Sequence, residues 1–148
     1  MLREGVDLLV RDAELVVTMD DARRELAGGW VAIDAGFVTA LGSAADHAPL
    51  ARHTVSARGC LVTPGLVNTH HHLYQNLARA YAPVTTVAFF TWLQTLTPLW
   101  ARLDEEAAYL SAWIGLAELA LGGAACSTDH LYLEPFGDRR LADAENEA

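Results

Sequence analysis

The sequence predicts an α/β chain in which a small, partial β-sandwich module, residues 1–58, precedes the first strands and helices of a β/α barrel, residues 59–148. Three observations carry that expectation. Short apolar bursts broken by turn chemistry run from Val6 to about Ala57. An almost unbroken apolar stretch, Cys60 to Asn68, has the character of a strand buried on both faces in a parallel sheet. Helical patterning follows it and leads into a second apolar strand at Ala124.

In the first module, Asp7 to Val10 and Glu14 to Met19 are strand candidates, and Asp20-Asp21 opens a polar turn before Gly28-Gly29. The clearest hairpin is Trp30 to Ile33, a three-residue connection Asp34-Ala35-Gly36, and Phe37 to Leu41; Gly36 supplies a positive φ. A short helical piece is expected from Ala44 to Arg52, then a strand around His53 to Ser56. In the second part, Leu73 to Tyr81 and Phe89 to Leu103 can carry helix, with Pro83 and Pro98 restricting the turns. Asp104 to Leu121 is the best-defined helix: Asp104 caps it, Glu105 and Glu106 suit the positive end of its dipole, and Gly122 closes it in the left-handed region. Leu110, Ile114, Ala117 and Leu121 form the face expected to pack on the sheet. Ala124 to Asp129 is the next strand, followed by a loop containing Pro135 and a new helical pattern from Asp138 to Glu145, with Glu145 and Glu147 on a solvated face. A full barrel takes about 250 residues, so the chain reads as an incomplete barrel: a fragment of a longer enzyme or a truncated product.

Composition excludes several functions. At 148 residues and 52% hydrophobic, the chain has material for a core. A net charge of −9, with all ten basic residues Arg, argues against a bound nucleic acid polymer. The acidic N-terminus lacks a signal peptide's apolar run, and the apolar stretch Ala107 to Cys126 contains Glu118 and Gly122-Gly123, so neither secretion nor a membrane span is expected. Cys60 and Cys126 lack zinc-ribbon spacing and read as buried free thiols in a cytoplasmic protein.

The residues able to do chemistry cluster after the first buried strand. In His70-His71-His72, alternation puts His70 and His72 on one side and His71 on the other, so two imidazoles converge on one cation. Other positions carry two readings each. Gln75 either reads the edge of a heterocycle or starts a helix at the surface. Trp92 and Trp100, and Tyr74 with them, either wall a pocket for a planar base or pack in the core. His130 either lines the pocket and orients a ligand or is a structural histidine; Asp129 either supports the site from behind or caps a loop.

The run Pro64-Gly65-Leu66-Val67-Asn68-Thr69-His70-His71-His72 resembles the PG-hydrophobic-hydrophobic-NTHxH signature of the amidohydrolase superfamily, in the branch of cytosine, guanine, S-adenosylhomocysteine and chlorohydrolase-like enzymes. Within that branch, Asn68 to Gln75, Leu77-Ala78-Arg79-Ala80 and Cys126 to Tyr132 resemble 8-oxoguanine deaminases and hydroxyatrazine-type hydrolases. The resemblance covers nearly the whole chain but only the front third of such an enzyme. It implies a metal-dependent hydrolase barrel with His70 and His72 as the first two metal ligands. It also places the catalytic acid-base Glu, the Asp that handles the proton of water and two further histidines beyond residue 148.

The activity implied for the full-length enzyme is hydrolytic deamination of an amino-substituted heterocycle, an 8-oxoguanine-like purine, with a divalent metal: zinc from the imidazole ligands, or iron. Gln75, His130 and Trp92 are the substrate-binding candidates, and the partners expected are the small heterocycle and, in the full-length form, further copies of the chain. Two alternatives stand beside this: a triazine or hydroxyatrazine-type amidohydrolase or chlorohydrolase, and a non-catalytic remnant, this segment alone being inactive.

Overall fold

A computed structural model describes residues 5–132 and 139–148, which form two compact units, Met1–Pro64 and Gly65–Ala148. The candidate Pro135 loop lies outside the described residues.

The first unit is built from two sheets. In one, β1 (Val6–Arg11) pairs with β4 (Trp30–Asp34) on one side and β6 (Ala51–Ser56) on the other, and β5 (Phe37–Gly42) extends the β4 edge. In the other, β2 (Leu15–Val17) lies between β3 (Glu25–Ala27) and β7 (Leu61–Val62). Alternation along β1 and β4 sends neighbouring residues to opposite faces. Leu9, Trp30 and Ala32 form one buried cluster, while Val10 and Val31 join Ala13, Val16 and Ala57 with Leu26 and Val62 in another. That second cluster, shared by both sheets, makes the unit a β-sandwich.

Four local expectations for this unit need correction. The hairpin connection is two residues, not three: Ala35 and Gly36 take φ of 50° and 83°. Asp34 remains in the strand, as a primed two-residue turn matches the twist of the flanking strands. The stretch Ala44 to Arg52 is not helical, because Asp46 accepts from Ser43 N and Oγ at 2.8 and 2.7 Å and folds the chain into a side-chain-closed turn before β6 begins at Ala51. Strand β3 fills what read as a polar turn. Finally, Cys60 to Asn68 is not one strand. Leu61–Val62 pairs parallel with β2, whereas β8 (Leu66–Asn68) belongs to the second unit. The Thr63-Pro64-Gly65 break between them includes a proline that has no ladder N–H to offer. Both cysteines are exposed, against the expectation of burial.

In the second unit β8 pairs parallel with β9 (Ala124–Ser127), Leu66 opposite Ala124 and Asn68 opposite Ser127. No closed barrel is present among the described residues. Leu66 and Val67 are 60% and 64% exposed, so β8 is not covered on both faces. A 3₁₀ segment, Leu73–Ala78, replaces the expected α-helix, a second covers Ala82–Val84, and α1 (Phe89–Trp100) carries Pro98 inside it. Tyr74, Val84, Leu96 and Trp100 make the core of this unit.

Helix α2 (Glu105–Leu121) starts as expected: Asp104 accepts from Ala107 N at 2.9 Å. Its closing and its inward face differ. Gly123, at φ 85°, takes the left-handed position, not Gly122. The buried face is Ala108, Ser111, Ala112 and Gly115, while Leu110, Ile114 and Leu121 are 46%, 38% and 90% exposed. Small residues win this face because the 3₁₀ segment lies close against it. Ser111 Oγ donates to Leu73 O at 2.6 Å, and Asn76 Nδ2 donates to Leu73 O and Ser111 O at 2.9 and 3.2 Å.

A Cβ on Gly115 would strike Asn76 Nδ2, an amide already committed to two carbonyls, and Leu73 Cδ2 at 2.8 Å. Gly115→Ala is therefore expected to lose about 1–3 kcal/mol through overpacking, despite alanine's better helix propensity. Chemical denaturation followed by tryptophan fluorescence measures it, and unchanged stability would contradict the close packing.

Candidate metal centre

Strand β8 ends at Asn68, and the three histidines lie on the short segment that leaves it. That segment is irregular but firmly tied. Asn68 Oδ1 accepts from His70 N at 3.0 Å, turning the chain out of the strand. Asn68 O accepts from Thr128 N, and His71 O from His130 N, both at 2.9 Å, so the pairing of β8 with β9 continues past the formal strand ends.

His70 and His72 turn towards each other, with their Nε2 atoms 3.3 Å apart. Two imidazole nitrogens on a tetrahedral cation at about 2.0–2.1 Å stand roughly 3.3–3.4 Å apart, so the pair has the spacing of two ligands of one ion. The His72 tautomer is fixed independently. Its Nδ1 lies 2.8 Å from the His130 carbonyl, which can only accept, so Nδ1 carries the proton and Nε2 presents its lone pair. The residues present thus fit a divalent cation. Among the described residues no group of three His, Cys, Asp or Glu side chains could complete a site.

The His130 ring sits 5.4 and 5.6 Å from the His70 and His72 rings, and its Nδ1 faces His71 O at 3.2 Å. His71 lies apart from the pair, with Nδ1 buried and without a partner among the described residues. A cavity of about 520 Å³ opens beside the histidines, and Gln75, Arg79, Trp92 and Trp100 line it. Gln75 Nε2 donates to Tyr74 OH at 3.0 Å. Burial and the neighbouring Tyr132 raise the Tyr74 phenol above its ordinary value, so it stays neutral. Trp92 and Trp100 meet edge to face at 5.2 Å; Trp100 is 2% exposed and is a core residue as well as a wall, its Nε1 buried without an acceptor among the described residues. Arg79 is held at the rim by a two-pronged pair with Glu118, which keeps the Glu118 carboxyl below its usual range.

Two carboxylates behind the histidines escaped sequence reasoning or were left open by it. Asp129 Oδ1 accepts from Leu73 N, the peptide that follows His72, at 2.7 Å. Glu145, on α3 (Arg140–Asn146), is 7% exposed and lies beside Asp129, not on a solvated face. Burial, then the Asp129 charge, push its carboxyl up to about 8. Its position two turns into a short acidic helix gave no periodic signal of burial.

No family profile matches the chain. Individual proteins do. It is 44% identical over 121 residues to 8-oxoguanine deaminase of Pseudomonas aeruginosa, which covers 82% of this chain and 27% of that protein. It is 35% identical over 149 residues to hydroxydechloroatrazine ethylaminohydrolase of Pseudomonas sp. strain ADP, covering 96% of this chain and 28% of that one. A crystal structure of an atrazine chlorohydrolase variant from Arthrobacter aurescens TC1, complexed with zinc and atraton, superposes with a TM-score of 0.81 at 30% identity, over 95% of this chain and 32% of that one. The homologues of this chain are deaminases and chlorohydrolases of the amidohydrolase family, and over the segment it spans the chain is built as they are. That segment is little more than a quarter of the length of these two relatives. No helix among the described residues is long and apolar enough to cross a membrane.

The raised Glu145 carboxyl has a pH consequence. Its folded value lies above its unfolded value, so its contribution to stability is fully present below about pH 4.5 and is lost as pH rises through about 8. The thermal midpoint of the wild-type chain should fall across that window relative to Glu145→Gln, which has no proton to lose. Parallel pH profiles for the two proteins, recorded by circular dichroism, would show Glu145 ordinarily ionised.

Proposed function

We propose that this chain contributes the first two metal ligands and part of the substrate pocket to a zinc-dependent hydrolase that deaminates an amino-substituted heterocycle, an 8-oxoguanine-like purine. The observation that carries the reading is the 3.3 Å approach of His70 Nε2 to His72 Nε2, with His72 locked in the ligand tautomer by the His130 carbonyl. The 44% identity to an 8-oxoguanine deaminase supports the purine, and zinc in the related crystal structure supports the metal. Iron, also an imidazole-binding ion, is the competitor that metal analysis separates.

His70 and His72 hold the cation through Nε2. When bound, it supplies the Lewis acidity that activates water near neutral pH. His72 keeps its Nδ1 proton on the His130 carbonyl throughout, so its ring cannot rotate away from the ion. Gln75 gives one N–H to Tyr74 and keeps its amide oxygen and second N–H for the edge of the substrate ring. Trp92 offers a flat apolar wall, and Trp100 backs it edge to face from the core. His130 serves through its main chain, with its ring beside the two ligand rings. The leaving group is ammonia, replaced at the ring carbon by the oxygen of water.

A second reading, hydrolysis of a substituted triazine, is favoured by the 0.81 TM-score to the atrazine chlorohydrolase and by the identity to the hydroxydechloroatrazine enzyme. Ammonia release from 8-oxoguanine, guanine and cytosine, set against alkylamine release from hydroxytriazines and chloride release from chlorotriazines, separates the two.

His70→Ala and His72→Ala should each lower zinc retained after dialysis and reduce turnover by about 100-fold or more, at or beyond the upper end of what losing a group behind a ligand costs. Elemental analysis by mass spectrometry and the release assay check this. Full-length protein that holds no metal and releases nothing from any of these rings would end the proposal.

A further inference from the structure

Resting on the metal-site reading above, we propose that Asp129 and Glu145 are positioning residues for the His72 ligand: Asp129, braced by the Glu145 carboxyl of α3, holds the peptide that immediately follows His72. Three consecutive residues, His71, Leu73 and the His72 ring between them, are each bonded by the pair of residues 129 and 130. His71 O takes His130 N at 2.9 Å, His72 Nδ1 gives to His130 O at 2.8 Å, and Leu73 N gives to Asp129 Oδ1 at 2.7 Å. Removing the last of these frees the peptide on the far side of His72, leaving its ring held from one side only.

A carboxylate is the stronger choice at this point, since an amide bond to a charged oxygen is shorter and roughly twice as strong as one to a neutral oxygen. Such a carboxylate needs its second oxygen satisfied, and the neighbour provided is another acid. Glu145 is 7% exposed, and its carboxyl neighbours that of Asp129. Two carboxylates cannot face each other there with both charges intact, so Glu145 carries the proton and donates it to Asp129. Its other oxygen, Oε1, is buried with no partner among the described residues. A buried acid left half satisfied is a cost to stability, and it is spent on the element that backs a metal ligand. The residue closing this support comes from α3, so docking of α3 on α2 and presentation of His72 are one arrangement.

The test compares Glu145→Gln with Glu145→Leu in the full-length protein. Glutamine keeps a donor for Asp129; leucine fills similar volume without one. In the metal-free protein, the ¹⁵N shifts of the His72 imidazole should show one tautomer, Nδ1–H, for the wild type and Glu145→Gln, and an averaged ring for Glu145→Leu and Asp129→Ala. Zinc affinity by chelator competition should fall about 10–100-fold in the latter two and stay within about twofold in Glu145→Gln. The visible spectrum of the cobalt-substituted protein should change only where affinity falls. If Glu145→Leu keeps the wild-type tautomer and spectrum while losing only thermal stability, the pair is purely structural and the proposal is overturned. If the wild type shows the fixed tautomer, lost in Glu145→Leu, yet binds no zinc, the positioning stands and the metal reading fails.

Discussion

The hydrogen bond between the His72 ring and the His130 carbonyl, 2.8 Å long, is the constraint on which the rest of the second unit depends. An imidazole can present either nitrogen, and only a partner that accepts and never donates removes the choice. For a carbonyl to stand at that point, the segment after β9 must run beside the segment after β8 in fixed register. The parallel pairing of Asn68 with Ser127 and the continuing bonds from Thr128 and His130 supply that register. The 3.3 Å separation of the His70 and His72 Nε2 atoms is an outcome of main-chain geometry as much as of the histidines themselves.

The register in turn is anchored by what lies beneath it. The 3₁₀ segment after His72 sits on the small-residue face of α2, where Ser111 and Asn76 satisfy the Leu73 carbonyl that a 3₁₀ turn would otherwise leave poorly bonded. Gly115 leaves room for the Asn76 amide. Polar bonds in a buried place are strong only when complete, and here those to Leu73 O are. Tyr74, the next residue, then enters the core against Trp100 at 5.4 Å. One stretch of six residues therefore joins the histidine pair to the hydrophobic core of its unit.

Much of this was legible in the sequence, for identifiable reasons. Periodicity located β1, β4, β5, α2 and β9, since strands and long helices repeat at 2 and 3.6 residues. The two histidines stood out because their spacing puts them on one side of an extended chain. The inward face of α2 was misjudged because reading by large apolar residues favours Leu110 and Ile114, whereas close approach of another backbone selects Ala108, Ser111 and Gly115. The His130 carbonyl was invisible for a deeper reason: it lies 58 residues from His72, and a main-chain acceptor has no side-chain signature. Glu145 was taken for a solvent-facing acid because charge alone does not reveal a neighbour brought in by folding.

The use of a carbonyl to hold His72 leaves the thirtieth residue of the second hundred unusually free. Every amino acid brings a C=O, and the main-chain N–H at this position already serves His71. The imidazole of His130, 5.4 and 5.6 Å from the His70 and His72 rings, plays no part in the bond to His72; its Nδ1 instead faces His71 O at 3.2 Å. Shape and polarity beside the histidine pair can thus be altered at this position while the carbonyl that fixes the His72 tautomer stays in place.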